Sequence, residues 1–474
     1  MATVTHRGAG DSLQDRDPGG KQGSEAADSS GSRAKGTIQP QTKRIYGIVF
    51  AILLVDLLAF TCILPLLPAL FDYYGQKDTK DSTYRALQDF VERTQTFLGI
   101  PVSEKFNSVL YGGLLGSLFS FLQFVASPLI GSLSDVYGRK TLLLITTAGI
   151  ALSYIVWALS TSFTLFVLAR IIGGISKGNI SIGTAIITDV STPETRGKGM
   201  ALVGIAFSLG FIIGPMIGAL FSAYAKANNV SNFFIYPAVF SLVLELLDLA
   251  LIWRFLPETL SKEKRAPSVL KNLKETVDFI DPRRLLNFSA VKKLSAENRA
   301  LLRKMGVTYL LFLFFFSGLE FTLTFLMHNR FDYNSVQQGR MFLFIGIIMI
   351  AVQGGYVRRI PAGKEKKVAI LGLLMVIPAF VIIAFATAQP IVYLGLAMYS
   401  FSSATIVPCL TTIVSNQGGD DQKGTVMGIF RSLGALARTV GPLFFSTLYW
   451  SLGPTISYTI GGLLLSLPLI TLRR

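Results

Sequence analysis

Charge is scarce in this chain: Asp, Glu, Lys and Arg make up 15% of its 474 residues, against about 25% in soluble globular proteins. That excludes an ordinary soluble domain. Cysteine is scarcer still, with Cys62 and Cys409 lying far apart inside apolar runs. A disulfide framework is excluded, and both read as small core thiols. The two histidines, His6 and His328, fall in a polar tail and a loop, so no zinc site or catalytic triad can be assembled. No nucleophile–base pair is evident either, and neither an enzyme nor a cofactor is expected. An apolar h-region is missing from the N-terminus, so no cleavable signal peptide is expected. The net charge of +16 sits between apolar stretches and not on a globular face, which argues against nucleic acid.

What is present is apolar. Hydrophobic residues reach 51%, with 44 glycines and 35 phenylalanines, and glycine is more frequent in membrane helices than in soluble ones. A span needs roughly 20 apolar residues. Twelve such runs are predicted, at 45–70, 107–130, 141–160, 164–188, 199–222, 232–256, 305–327, 339–357, 368–387, 390–414, 425–447 and 455–471. The expected organisation is a disordered cytoplasmic tail over 1–42, six helices over 43–256, a cytoplasmic loop over 257–304 and six helices over 305–474. Segments on the N-terminal side carry about 31 Lys and Arg against about 7 opposite, which predicts cytoplasmic termini and central loop.

Two loops show helical periodicity. Tyr84, Leu87, Val91, Thr94 and Leu98 predict a short amphipathic helix outside; Leu270, Leu273, Val277 and Ile280 predict either an inner-leaflet helix or a solvated linker. A repeat is also visible. "TDVSTPETRGKGMALVGIAFSLGFIIGPMIG" superposes on "SNQGGDDQKGTVMGIFRSLGALARTVGPLF" at a constant offset, placing Gly214-Pro215 on Gly441-Pro442. Spans four and five recur as ten and eleven. Twelve spans in two parallel halves are the transporter pattern in which substrate binds near the bilayer midplane.

The loop "GSLSDVYGRKT" resembles the GxLaDrxGrk signature of the major facilitator superfamily, with Gly131, Leu133, Asp135, Gly138, Arg139 and Lys140 in place. The resemblance implies a gating cluster in which Arg139 pairs with Asp189 and Asp135 faces the helix starting near Gly424. The second half's "GGYVRRIPAGKEKK" keeps the basic residues but lacks the aspartate. In span five, Gly210, Gly214 and Gly218 stand four apart beside Pro215. Such spacing lets backbones approach closely, and it resembles the GxxxGPxxG motif of drug/proton antiporters; Gly441 and Pro442 are its counterpart.

Arg170, Gly173, Lys177, Ser181, Thr184 and Thr188 form a polar stripe on a continuous helix, repeated in span eleven by Arg431, Gly434, Arg438 and Gly441. Lipid-exposed Arg or Lys costs about 2.5–3.5 kcal/mol or more, so each stripe is expected to face protein or water. Lys177 and Arg438 are read as lining a cavity, with Arg431 open between cavity and structural roles. Asp56 and Glu320 are the candidate proton carriers. Glu245 and Asp248, on a span peripheral in this fold, read as structural, and "LFLFFF" (Leu311 to Phe316) as lipid-facing.

Together "DLLAFTCILPLLPAL", "ARIIGGISKGN" and "GFIIGPMIG" resemble the tetracycline-efflux branch of the superfamily over about residues 45–470. The resemblance implies an all-α membrane protein of twelve transmembrane helices in two pseudo-symmetric halves. It further implies alternating access, a role for Arg170 in proton coupling, and efflux of amphipathic drug-like compounds, organic anions in animal members. Four basic residues (Arg170, Lys177, Arg431, Arg438) outnumber Asp56 and Glu320, which fits an anion independently. A facilitative metabolite carrier and a non-transporting receptor or scaffold remain open. Expected partners are a small organic anion, protons and the lipid bilayer, with a monomer as the state. The plasma membrane is the default location, with intracellular membranes including the nuclear envelope open. The sequon at Asn229 stands too near the bilayer for easy glycosylation.

Overall fold

The computed structural model describes residues 39–77, 82–98, 106–230, 232–265, 279–291, 295–361, 363–415, 417 and 423–473. Residues 1–38 of the predicted tail and the predicted 270–277 part of the inner-leaflet helix lie outside these residues; the last three residues of that predicted tail, 40–42, are already helical. Apolar runs long enough to cross a bilayer become helices because lipid leaves backbone groups no other partner.

The first crossing runs through Pro40–Thr61 (α1), turns tightly at Leu64–Leu66, and ends in Leu67–Lys77 (α2). Pro65 and Pro68 lack a backbone donor, which accounts for the interruption. Ser82–Leu98 (α3) is the predicted amphipathic helix: Tyr84 and Val91 are buried, whereas Phe90 and Phe97 are exposed. Spans two and three are Asn107–Tyr137 (α4) and Arg139–Ala158 (α5). Span four is broken into Phe163–Ser176 (α6) and Asn179–Val190 (α7). Pro193–Ala227 (α8) and Ile235–Phe255 (α9) complete the first six.

A short helix, Pro282–Leu286 (α10), seats Leu285 and Phe288 against the second half, where Phe288 meets Gly306. The remaining spans are Ala296–Phe331 (α11), Ser335–Ala351 (α12), Glu365–Phe385 (α13), Gln389–Ser415 (α14) and Lys423–Leu464 (α15), closed by Ser466–Arg473 (α16). Helix α11 begins nine residues before the predicted edge at 305, because Ser295 accepts from Asn298 N at 3.2 Å and starts the helix in the polar segment. Among the described residues eleven segments are long and apolar enough to cross. The last contains two crossings, joined where Gly453 adopts φ 78°, a conformation that favours glycine. The protein is a twelve-helix membrane protein in two six-helix halves.

Span one packs on span five, and span seven on span eleven; across the halves, span two meets eleven and span five meets eight. The glycines of span five make the first pairing. A Cβ on Gly210 would meet Leu57 Cβ at 2.5 Å, and Cβ atoms on Gly214 and Gly218 would collide with Thr61 Oγ1 and the Cys62 carbonyl. Thr61 Oγ1 donates to Gly210 O at 2.8 Å across this seam. Gly441 repeats the arrangement against Phe314 O at 2.5 Å.

The halves are sealed at the face opposite the termini. There Trp450 Nε1 donates to Asn107 Oδ1 at 2.9 Å, Phe106 meets Tyr449 edge-on at 5.2 Å, and Phe71 meets Phe325 at 6.3 Å. His328 Nε2 lies 3.0 Å from Asp72 Oδ2 at the same level.

Candidate functional site

The loop between spans two and three has a defined geometry. Gly138 takes φ 101°, and Arg139 opens α5. The Arg139 guanidinium contacts Asp135 Oδ1 at 2.6 Å and Asp189 Oδ2 at 2.9 Å, and donates to Ser134 Oγ at 2.6 Å. Asp135 thus pairs within its own half. Among the described residues it makes no bond to the helix beginning at Lys423. Sequence reasoning missed Glu258. Its carboxylate accepts from Arg139 N at 3.0 Å and Lys140 N at 3.3 Å, capping the positive N-terminus of α5. The available signal was an acid in "LPETL" immediately beyond span six.

Span four departs from the expected continuous helix. Lys177 has ψ 61° and the chain unwinds at Lys177–Gly178 before Asn179 restarts it. Ser127 Oγ donates to the freed Lys177 carbonyl at 3.0 Å. The break redirects the side chain. Lys177, expected to line a cavity, is 2% exposed, and its Nζ stands 2.5 Å from Asp56 Oδ1, itself 0% exposed. A buried ammonium needs a partner, and the break aims it at span one. The same Nζ sits 4.7 Å from the Phe60 ring, Phe60 stacks on Phe119 at 5.4 Å, and Arg170 lies 4.3 Å from Phe119.

Span six is peripheral as expected, with Val243, Leu246 and Trp253 exposed, and Glu245 and Asp248 lie on its inner side. Both are fully buried, and Asp56 and Lys177 are charged neighbours of each. Periodicity assigns residues to one face of a helix but not the neighbour that face meets; α9 packs on α1.

The second half differs. Span seven is the most enclosed span, yet Glu320 on it is exposed while Leu319 and Leu323 are buried. Open space therefore lies inside the bundle beside Glu320. Tyr399 Oη donates to Glu320 Oε1 at 2.5 Å, and Arg438, also exposed, is its charged neighbour. Tyr309 stacks on Phe430 at 3.9 Å, near Arg431 and Arg438. Arg431 reaches Met200 Sδ of the other half at 3.8 Å. Among the described residues, no carboxylate lies within ion-pair distance of Arg170, Arg431 or Arg438. The aromatic run expected to face lipid is largely internal: Phe312, Phe315 and Phe316 are buried, and Phe316 stacks on Tyr399 at 4.9 Å. That stack holds the phenol that binds Glu320.

Among the described residues no cluster of three or more metal-ligating side chains converges. Twelve helices in two halves, with charged side chains at mid-membrane depth, define a secondary transporter fold. The chain belongs to the Major Facilitator Superfamily, which it matches over residues 49–442. It is 46% identical to human major facilitator superfamily domain-containing protein 10, over 92% of this chain and 94% of that protein. The crystal structure of the human organic anion transporter MFSD10 (TETRAN) superposes with a TM-score of 0.77 at 46% identity, covering 92% of this chain and 100% of that one. The class B tetracycline resistance protein of Escherichia coli is 25% identical over 71% of this chain and 78% of that protein. The protein is a multi-pass membrane transporter, not an enzyme.

Proposed function

We propose that this transporter exports small organic anions, including amphipathic drug-like compounds, by proton-linked alternating access. One observation carries the reading: Arg170, Arg431 and Arg438 have no carboxylate partner among the described residues, and Arg438 faces open space inside the bundle beside a single acid, Glu320. A substrate carboxylate or sulfonate supplies the missing counter-charge through charge-assisted hydrogen bonds. Tyr309, stacked on buried Phe430, and Phe119, beneath Arg170, back these cations with aromatic rings. The relative whose structure is that of an organic anion transporter supports the same class.

Asp56 and Glu320 are the proton-carrying groups of this reading. Each is an acid on the first helix of its half and each is tied to a group that can release it, Lys177 or Tyr399. Asp135, Arg139 and Asp189 form the gate on the face that bears the termini. Termini and central loop are assigned to the cytoplasm, the working unit to a monomer and the location to the plasma membrane. Reconstituted protein tests the proposal: Arg438→Gln lowers labelled organic-anion flux at least tenfold, whereas wild-type flux in the variant contradicts it. Flux that ignores an imposed pH gradient, and that survives Asp56→Asn, points to a facilitative carrier instead.

A further inference from the structure

Five carboxylate oxygens are buried without any hydrogen-bond partner among the described residues: both of Glu245, both of Asp248, and Oδ2 of Asp56. Their charged neighbour is one ammonium, Lys177 Nζ, which bonds none of the five; its bond goes to Asp56 Oδ1. The groups facing the cluster come from four spans. Span one supplies Asp56 and Cys62, span three Tyr154, span four Lys177 and Arg170, and span six Glu245 and Asp248. Ser241, on the same helix as the two acids, spends its hydroxyl on Ala59 O at 2.9 Å and leaves them unserved.

We propose that Glu245 and Asp248 form a proton-binding site on the sixth span, set back from the open interior and linked to it through the Asp56–Lys177 pair. The inference deepens the proton-linked reading above and rests on it for its role in transport, though not for the occupancy of the site. Charge balance carries it. Three carboxyls face Lys177 alone, or Lys177 and Arg170 if the more distant guanidinium is counted. In either case acids outnumber bases, and a buried excess of negative charge is too costly to persist. The cluster therefore holds at least one proton. A metal ion is a poor alternative, because it needs several converging ligands and no such convergence exists among the described residues.

The break in span four supplies the coupling. Lys177 stands on non-helical backbone, where a change of conformation can carry Nζ from Asp56 toward the span-six carboxyls. When the ammonium leaves Asp56 for Glu245 or Asp248, the O–H bond of that acid breaks and one forms on Asp56. One proton moves, and the cluster's charge is unchanged. The Asp56–Lys177 pair adjoins Arg170 through aromatic rings: Lys177 lies over Phe60, which stacks on Phe119 beneath Arg170.

Infrared spectroscopy of the purified full-length protein at neutral pH tests the occupancy directly. Wild type is expected to show the C=O stretch of protonated carboxyl groups, and Glu245→Gln and Asp248→Asn are each expected to weaken it. Absence of that absorption in wild type, or its persistence undiminished in both variants, overturns the site. The wild-type measurement stands even if a variant fails to fold. In proteoliposomes, both substitutions are expected to flatten the response of anion flux to a pH gradient. An unchanged gradient response in both overturns the link to transport. Wild-type flux blind to the gradient defeats the proton-linked reading, while the infrared absorption still decides whether the site holds its proton.

Discussion

Asp56 and Glu320 each stand on the first helix of their half, yet their surroundings are opposite. Asp56 is fully buried, ion-paired to Lys177 at 2.5 Å, and backed by two further acids. Glu320 is exposed to interior space, hydrogen-bonded by Tyr399, with an unpaired arginine close by. A closed cluster conserves its charge, so anything it does must pass through proton movement. An open site with spare cations can accept a charged solute. In the proposed function the two halves divide two tasks between them, and that division predicts different failures on the two sides.

The largest effect should follow from breaking the closed cluster. Lys177→Met strands Asp56 as an unpaired buried acid, a loss of about 3–5 kcal/mol. It should abolish recovery of monodisperse protein on size-exclusion chromatography, and Lys177→Met with Asp56→Asn should restore it. Next is the seam that positions Asp56. Gly218→Val drives a side chain into the Cys62 carbonyl and should cost about 1–3 kcal/mol or more, read as a drop in thermal midpoint. Substitution in the open site should behave otherwise. Arg438→Gln and Arg431→Gln should cut anion flux about tenfold, equivalent to roughly 1.4 kcal/mol, while leaving the thermal midpoint near wild type. Smallest is Tyr399→Phe, which removes one hydrogen bond to Glu320, worth about 1 kcal/mol net. Its signature should be a shifted pH dependence of flux with little change in stability.

Much of this arrangement could be read from residues. The twelve spans were legible because lipid admits so few backbone solutions, and the Gly210, Gly214, Gly218 seam because only small residues permit that approach. The Arg139–Asp189 pairing came from the loop motif that the chain shares with its superfamily. The buried cluster was not legible. Placing Lys177 on the cavity stripe assumed that helical phase continues through Lys177–Gly178, and nothing in "GGISKGNIS" forces the break that turns the side chain. Glu245 and Asp248 did carry a signal, since acids in an otherwise apolar span are functional by default; the sequence did not show that their side of span six meets span one. Glu258 was hidden because a cap is a relation between a loop and a distant helix end.

In the proposed division of labour, spare cations in the second half take an anion while the first half carries the protons. Uptake of labelled organic anions into proteoliposomes, with and without an imposed pH gradient, puts that division to its sharpest test. The gradient should accelerate uptake, and Arg438→Gln should cut uptake about tenfold. Uptake equal under both conditions and unaltered by Arg438→Gln would contradict the division.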